Sequence, residues 1–460
     1  MMGIMRTLVG VLVILVLGFV AAFLIAGRAA PPSIAIIGPK TTIGLQTPLE
    51  VTIEAPGGKF ARAEIRLEQG GRSSTLFSLD SPSDATLTQE TADRIRISRP
   101  VGKRALPSLQ EGPARLVVVA SRAVFFGLKR PQSESSVEVR VRFTPPRVSI
   151  VSTHHFVNHG GAEMAIYRVA PPEVASGVRV GDTLYPGFPA SGIGVASADA
   201  GLKVAFFALL HDQDLNTPIQ LYAKDDAGNE ARGQFDYRVF PKPLFRARVE
   251  LADAFLDRVV PEILSHVPEL GPPPASGENM LPAFLRINRE LRQKNADQIR
   301  ALAAGTAVQA LWDGPFRQLG NSKVESRFAE HRTYFYKGGE VDQQVHLGYD
   351  LAVTANVPVL AGNRGKVLYA DYLGIYGNTV ILDHGLGVQS LYGHMASIEV
   401  RPGDKVDKNQ PLGRSGMTGL AAGDHVHFAI LVNGSPVSPV EWWDPHWIED
   451  RVARKVREAR

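Results

Sequence analysis

Three short segments in the C-terminal part of the chain carry side chains that could bind a metal. They are "VHLGYDLAV" with His346 and Asp350, "SLYGHMAS" with His394, and "AAGDHVHFAI" with His425 and His427. In an extended strand, residues two or four apart share a face, so each segment places its polar side chains opposite an apolar row. Three such segments predict one shared polar cleft over an apolar core.

The residue types restrict the chemistry of this cleft. The chain has no cysteine, so nitrogen and oxygen ligands are available, and these suit zinc better than a soft metal. Catalytic zinc usually has three protein ligands and an open position for water. Four histidines and one aspartate therefore leave two imidazoles, one to accept the water proton and one to stabilise an oxyanion. The set is sufficient for amide hydrolysis, and the spacing alone leaves open which histidines bind the metal.

In this order, and with glycine-rich connections, the motifs "HLGYDLA", "LYGHM" and "DHVHF" resemble the lysostaphin-like (LytM-type) zinc metallopeptidases. The text between and after them agrees, including "VPVLAGNRGKVLYADYLGIYGNTVILDHG", "VRPGDKVDKNQPLGRSGMTGLAAG" and "VNGSPVSPVEW". The resemblance covers about residues 324–443. It implies a compact, mostly antiparallel β domain that hydrolyses peptide bonds in peptidoglycan cross-bridges or stems.

The resemblance also assigns roles to the five polar residues. It implies that His346, Asp350 and His427 bind Zn²⁺. It implies that His394 and His425 are the unliganded catalytic pair, which activates water and stabilises the transition state.

Four further positions in this region need an interpretation. Tyr349 replaces the aliphatic residue usual before the aspartate, and Ala329 in "SRFAEHR" stands where glycine is common. We expect both departures to affect the shape of the groove rather than the metal chemistry. His384 in "LDHG" is interpreted as a structural residue of the family scaffold, and His331 as a surface residue.

The N-terminal segment predicts a membrane anchor. Residues 7–27 form a run of 21 uncharged residues between Arg6 and Arg28, close to the roughly 20 needed to cross a hydrocarbon core. The apolar region of a cleaved signal peptide is shorter, about 7–15 residues, so an uncleaved transmembrane helix is favoured over cleavage near Ala29–Ala30. The positive-inside signal is weak. We expect a single pass through the inner (cytoplasmic) membrane, with the bulk of the chain in the periplasm or otherwise outside the cytoplasm.

The rest of the chain is predicted to be mainly β and multidomain. Short runs of alternating polarity predict two immunoglobulin-like β-sandwich modules, at 33–143 and 147–240. Apolar residues then recur every three or four positions, which predicts a helical pair or spacer at 241–306. The antiparallel β zinc metallopeptidase domain is expected at 307–445. A basic C-terminal tail at 446–460 is interpreted as a solvated helical end.

A second group of histidines lies in "STHHFVNHGG", which contains His154, His155 and His159. Adjacent histidines point to opposite faces of a strand, and no carboxylate lies nearby at a suitable spacing. We therefore interpret these three as surface or turn residues.

Composition argues against several classes of protein. A hydrophobic content of 44% with 21% charged residues is ordinary for a globular chain. The net charge of +4 is small for 460 residues, and no basic stripe with interleaved aromatic residues suggests a nucleic-acid partner. The absence of cysteine excludes a disulfide framework and a cysteine nucleophile.

Three functions compete on this evidence. The first is a membrane-anchored zinc metalloendopeptidase that hydrolyses peptide cross-links or stem peptides of peptidoglycan. The alternative is a non-enzymatic activator that uses the same fold to bind a separate cell-wall hydrolase. Such regulators typically lack one or more of the five site residues, all of which are present here. A third, adhesion through the β modules, is weakened by the lack of an aromatic sugar-binding platform. A regulatory partner that moves the helical pair off the groove is compatible with the enzyme.

Overall fold

The computed structural model of the chain describes residues 2–26, 29–57, 59–81, 85–243, 245–275 and 277–459. These residues divide into two units. The first unit comprises Met1–Pro146 with Lys224–Ala231, and the second comprises Arg147–Ala223 with Arg232–Arg460.

The first unit begins with helix α1, Met2–Ala26. Over the part of the chain that the structure describes, no helix is found to be long and apolar enough to cross a membrane. The transmembrane anchor predicted for 7–27 therefore has no support in the structure. Gly27 and Arg28, at the end of that prediction, lie outside the described residues.

Two sheets follow in the first unit, as the alternating runs of 33–143 predict. The strands are β1 Ser33–Gly38, β2 Thr42–Ile43, β3 Thr47–Glu54, β4 Phe60–Gln69, β5 Arg72–Ser78, β6 Thr86–Thr91, β7 Arg94–Val101, β8 Gly112–Arg122 and β9 Gln132–Val141. One sheet has the order β1-β3-β7-β6 and the other β2-β9-β8-β4-β5. Alternate residues such as Val51 and Ile53 on β3 and Ile65 and Leu67 on β4 are buried in one core. An immunoglobulin-like identity for this module is not confirmed.

The second unit opens with a further β-rich segment over the predicted second module, 147–240. Its strands are β10 Arg147–Ile150, β11 His155–Asn158, β12 Ala162–Ala170, β13 Ala175–Val180, β14 Thr183–Pro186, β15 Phe188–Pro189, β16 Leu202–Ala208, β17 Ile219–Lys224, β18 Glu230–Gly233 and β19 Tyr237–Phe240. One sheet has the order β10-β12-β16-β15, a second contains β14, β13 and β17, and β11 pairs with β19. The immunoglobulin-like identity of this segment is likewise not confirmed.

His155 corrects the prediction of a surface or turn residue. It lies on β11 and is buried, with Nε2 2.9 Å from Ser152 Oγ and Nδ1 3.1 Å from the Asp236 carbonyl oxygen. Burial lowers the pKa of His155 to about 3, so the ring is a neutral structural group. Of its two neighbours, His154 is exposed and His159 is half-buried.

The segment predicted as a helical pair contains a strand before its helices. The elements are β20 Phe245–Leu251, α2 Asp253–His266, α3 Leu281–Arg286 and α4 Arg292–Ala303, with a π-helical turn at Ile287–Leu291 joining α3 to α4. The helical prediction from 245 to 251 is wrong because Ala247, Val249 and Leu251 are the more buried positions at a period of two, which suits a strand.

The helices are not a separate spacer. Leu256, Val259 and Ile263 of α2 and Phe284 of α3 share a buried core with Tyr334, which lies in the C-terminal β domain. This packing fixes the helical pair against that domain.

The C-terminal domain is the mostly antiparallel β structure that the motifs predict. Its strands are β21 Lys323–Ser326, β22 Glu330–Tyr336, β23 Gly339–His346, β24 Tyr349–Ala352, β25 Pro358–Leu360, β26 Gly365–Tyr372, β27 Asn378–Gly385, β28 Val388–Ile398, β29 Lys405–Val406, β30 Pro411–Ser415, β31 His425–Val432 and β32 Ser435–Val437. The large sheet has the order β21-β24-β31-β28-β27-β26-β29, and β20-β22-β23 form a smaller sheet. β20 runs parallel to β22, and the other strand pairs in these two sheets are antiparallel.

The C-terminal tail is helical, as predicted, but it is not solvated. It contains α5 Pro439–Trp443, α6 Pro445–Ile448 and α7 Arg454–Glu458, with a π-helical turn at Glu449–Ala453. Val452, Val456 and Lys455 are buried. Lys455 Nζ lies 2.8 Å from Glu163 Oε1 on β12, where both side chains are almost fully enclosed. The tail therefore packs on the second unit through an apolar face and one buried ion pair.

Glu441 on α5 gives a prediction about stability and pH. Its carboxylate accepts hydrogen bonds from Asn158 Nδ2 and the Ala162 N–H, each at 2.7 Å, yet burial raises its pKa from 4.5 to about 7. The folded state therefore binds this proton more tightly than the unfolded state. Its stabilising contribution is complete below about pH 4.5 and is lost as the pH rises to about 7.

We expect the free energy of unfolding of the wild type, relative to Glu441→Gln, to fall by up to about 3 kcal/mol over that range. Urea denaturation at several pH values measures the difference. Glu269→Gln, at an exposed position, controls for the substitution itself. A pH-independent difference between wild type and Glu441→Gln would contradict the prediction.

Candidate metal centre and active site

Strand pairing brings the three motifs together. β31 lies between β24 and β28, with Asp350 opposite His427 on one side and Gly393 opposite His427 on the other. His346 ends β23, and the short turn through Gly348 leads into β24. A Cβ at position 348 would lie 2.5 Å from the ring of His427, so this turn needs glycine.

Three ligand atoms converge at this point. His346 Nε2 lies 2.9 Å from Asp350 Oδ1, and His427 Nδ1 lies 3.0 Å from both of those atoms. All three residues are buried. Within the described ranges, no other group of histidine and acidic side chains meets the geometry of a metal site.

The convergence fits a zinc ion. His346 Nδ1 donates to the Arg327 carbonyl oxygen at 3.0 Å, so the neutral ring turns the lone pair of Nε2 toward Asp350. Lone pairs packed this closely repel one another unless a cation lies between them. Ligand atoms of a tetrahedral zinc lie roughly 3.3 Å apart, close to the separations seen here. Two imidazole nitrogens and one carboxylate oxygen are also a donor set that zinc accepts.

The electrostatics of the cluster favour the metal-binding protonation states. Burial alone would raise the pKa of Asp350, but the charge of His346 and hydrogen bonds from three histidines outweigh it and hold that pKa well below its usual value. Burial lowers the pKa of His427 to about 4. An ionised aspartate and a neutral imidazole are the forms that bind metal.

His394 and His425 lie beside the three ligand atoms, with their ring centroids 4.7 Å apart. His394 Nδ1 donates to the Thr418 carbonyl oxygen at 2.8 Å, and His425 Nδ1 donates to the Gly423 carbonyl oxygen at 2.9 Å. Each ring is thereby oriented by its backbone partner, leaving Nε2 for chemistry. The structure thus brings together all five residues that the sequence singles out.

The two histidines of this pair have opposite tendencies. Burial, with the charges of His425 and His427, lowers the pKa of His394 well below its usual value. For His425 burial also acts downward, but the hydrogen bond and charge of Asp350 outweigh it and raise the pKa. His394 is therefore suited to accept a proton and His425 to hold one. His394 also has φ +63°, a strained backbone region that non-glycine residues adopt mostly at functional sites.

The four residues interpreted around the motifs have these outcomes. His384 is fully buried, with Nε2 2.7 Å from Ser390 Oγ, in keeping with a structural role. His331 is half-buried, so the surface interpretation is wrong. Ala329 has φ +60°, the left-handed conformation that glycine adopts without strain. Tyr349 points away from Asp350 and packs against Trp443, with ring centroids 5.3 Å apart.

Two residues in the cleft were missed by the sequence reasoning. Arg332 Nη2 lies 2.9 Å from Asp350 Oδ2, and its Nε lies 3.0 Å from Glu330 Oε1. The spacing of Glu330 and Arg332, two apart on a predicted strand, could have suggested an ion pair on one face. Tyr376 places its ring centroid 5.2 Å from that of His427. Its motif, "GIYGNTV", was recognised only as scaffold.

The site lies in a cavity of about 350 Å³. One wall carries the catalytic strands, and the other carries Phe255, Phe284, Asn288 and Arg292 of the helical segment. Arg258 of α2 donates to the carbonyl oxygens of Met417 and Ala421. Glu262 Oε1 accepts the Gly419 N–H at 2.9 Å. The helices are therefore a wall of the cleft.

Comparison with known proteins agrees with this site. Over 161 residues the chain is 28% identical to the peptidoglycan DD-endopeptidase ShyA of Vibrio cholerae serotype O1, covering 35% of this chain and 34% of that protein. Over 97 residues it is 35% identical to the DD-carboxypeptidase/endopeptidase Mpg of Neisseria meningitidis serogroup B, covering 21% of this chain and 22% of that protein. The chain thus spans about a third or less of the length of these relatives.

Among solved structures, the catalytic domain of the antimicrobial peptidase lysostaphin from Staphylococcus simulans is 26% identical, covering 28% of this chain and 98% of that one with a TM-score of 0.24. Residues 344–439 match the family model described as Peptidase family M23. This segment contains all five site residues, the resemblance predicted from the motifs is confirmed, and the C-terminal part of the chain carries an M23 peptidase domain.

Proposed function

We propose that the chain is a zinc-dependent endopeptidase that hydrolyses peptide cross-links or stem peptides of peptidoglycan. The observation that carries this proposal is the convergence of His346 Nε2, Asp350 Oδ1 and His427 Nδ1 within 3.0 Å of one another. The names of the relatives, a peptidoglycan DD-endopeptidase and a DD-carboxypeptidase/endopeptidase, support the substrate class.

In the proposed mechanism, His346, Asp350 and His427 hold the zinc. When bound, the zinc would lower the pKa of a bound water to about 7 and polarise the substrate carbonyl. His394, fixed by its hydrogen bond to Thr418, presents Nε2 to accept the proton of the attacking water. His425, whose pKa is raised by Asp350 against the effect of burial, presents a protonated Nε2 that stabilises the negative charge developing on the carbonyl oxygen.

Location and partners belong to the same proposal. A peptidoglycan hydrolase must act where the wall lies, so we place the peptidase domain in the periplasm or otherwise outside the cytoplasm. The uncharged sequence of 7–27 supports a single-pass position in the inner membrane. A regulatory protein could act through the helical wall, which contributes Phe255 and Phe284 to the cleft. The alternative of a non-enzymatic activator is disfavoured because all five site residues lie together.

The test is mass spectrometry of products released from purified peptidoglycan by the full-length protein. We expect products with newly freed amino and carboxyl groups at peptide bonds. Release should stop when a chelator is added and resume when zinc is restored. Undigested peptidoglycan in the presence of zinc, or digestion that the chelator does not affect, would overturn the proposed function.

Arg332 gives a prediction about zinc affinity. Its guanidinium holds Asp350 Oδ2 at 2.9 Å, and outer groups that orient a metal ligand typically contribute about 10- to 100-fold in metal affinity. We expect Arg332→Met to weaken zinc binding by about that factor, measured by competition with a chromogenic chelator. Arg248→Met is the matched control because Arg248 pairs with Glu250 at an exposed position. Equal affinity in Arg332→Met and wild type would show that Arg332 does not position Asp350.

A further inference from the structure

Arg292 is a cation in the cleft that lacks an acidic partner. It is half-buried and lines the same cavity as the five site residues. Its Nε donates to the Asn288 carbonyl oxygen at 3.1 Å and its Nη2 to Asn288 Oδ1 at 2.7 Å. Among the residues that the structure describes, Nη1 has no hydrogen-bond partner, and the side chain forms no ion pair. One edge of the guanidinium is thus held in place while the other is available to a ligand.

The other charges of the cleft are accounted for without Arg292. Arg332 is paired with Asp350 and Glu330. Glu325, a further acidic residue lining the cavity, is exposed on β21. None of these carboxylates pairs with Arg292 in the described part of the chain. An anion that binds Arg292 must therefore arrive with the substrate.

The support behind Arg292 is built into the fold. Asn288 is fully buried, and its Nδ2 donates to Asp342 Oδ2 at 2.7 Å. Asp342 is itself held by Arg289, with Nε 2.9 Å from Oδ1. Asn288 lies in the π-helical turn Ile287–Leu291, a distortion that occurs frequently at functional sites. A buried polar chain thus positions the guanidinium, which reduces the ordering cost of binding.

We propose that Arg292 binds a carboxylate of the substrate, so that the preferred substrates are peptides carrying a free carboxylate near the bond that is cut. A guanidinium recognises a carboxylate through paired, charge-assisted hydrogen bonds. Arg292 lies outside residues 344–439, which match the M23 family, so this recognition belongs to the helical wall of this chain. The inference rests on the proposed function and names its substrate class.

Two kinds of carboxylate could serve, and the test separates them. One is the α-carboxylate at the end of a stem peptide, and the other is a carboxylate within the stem, such as that on the diamino acid of a cross-link. The substrates are one cross-linked peptide with both groups free, one with the terminal group amidated, and one with the internal group amidated. Amidation removes the charge with little change in size.

For the full-length wild type we expect one of the two amidations to lower kcat/KM by roughly 10- to 100-fold, mainly through KM. Arg292→Gln should lower kcat/KM for the unmodified peptide by a similar factor and should no longer distinguish carboxylate from carboxamide. Arg292→Lys should keep part of the preference. Arg300→Gln, on the same helix but paired with Asp297 at an exposed position, is the matched control and should behave as wild type.

The proposal is overturned if Arg292→Gln discriminates between the peptides as well as the wild type does, or if the wild type does not discriminate. Equilibrium binding of the same peptides, measured by fluorescence anisotropy with chelator present, separates this result from a failure of the proposed function. If no peptide is cut, tighter binding of a carboxylate form that disappears in Arg292→Gln would still establish recognition. Equal binding of all three peptides would refute it.

Discussion

Replacing His427 by alanine is expected to remove the bound zinc and to lower hydrolysis of purified peptidoglycan by at least roughly 10³-fold. His427 Nδ1 is one of three ligand atoms, each within 3.0 Å of the other two. Without it, two protein ligands are left, one fewer than catalytic zinc usually has. The measurements are the zinc content of the purified full-length protein, expected at about one ion per chain in the wild type, and the rate of product release.

His446→Ala is the matched control for this variant. His446 is exposed and lies outside the residues that line the cleft, so the variant should keep both zinc and activity. Full activity of His427→Ala without metal would refute the zinc mechanism. Retention of zinc would show instead that His427 is not required as a ligand.

Replacing His425 by alanine is expected to leave zinc in place and to lower turnover by about 10²- to 10⁴-fold. His425 Nε2 lies 3.5 Å from Asp350 Oδ1, so it approaches the metal site without joining the three converging atoms. Its loss removes a proton donor beside the reacting carbonyl while the ligand set stays complete. The effect should therefore appear in kcat with the zinc content unchanged.

The His425 variant also tests the assignment within the pair of histidines on β31. The resemblance assigns the metal to His427 and catalysis to His425, and the hydrogen-bond geometry agrees. If His425→Ala loses zinc and His427→Ala keeps it, the two roles must be exchanged. Wild-type turnover in His425→Ala would remove that histidine from the mechanism.

Much of the site could be predicted because it depends on local periodicity. The two-residue repeat sends His425 and His427 to one side of β31, and the same rule aligns His346 with Asp350. Their convergence is confirmed by the distances within the site. The resemblance added the family, which the match over residues 344–439 confirms. The mainly β fold followed from the alternating runs before these motifs.

What sequence reasoning missed depends on tertiary contacts. The burial of His155 results from packing beside Phe235, with ring centroids 4.8 Å apart, which no local pattern indicates. Charged residues between apolar ones at 245–251 suggested a helix, but the parallel neighbour β22 stabilises a strand. The cleft position of Arg292 depends on a distant segment that holds Asn288 through Asp342. Local propensity does not determine such contacts.

The buried pair of Glu163 and Lys455 constrains the order in which this protein can mature. The two residues are separated by 292 positions in the chain, so a ribosome makes the carboxylate on β12 long before its cation. Until α7 docks, the carboxylate must stay hydrated or be buried uncompensated, and loss of one partner of such a pair costs about 3–5 kcal/mol. The strand and the C-terminal helix therefore complete each other late. Nascent chains that end before Lys455 should be held open, and the assembled cleft is reserved for chains extended through α7.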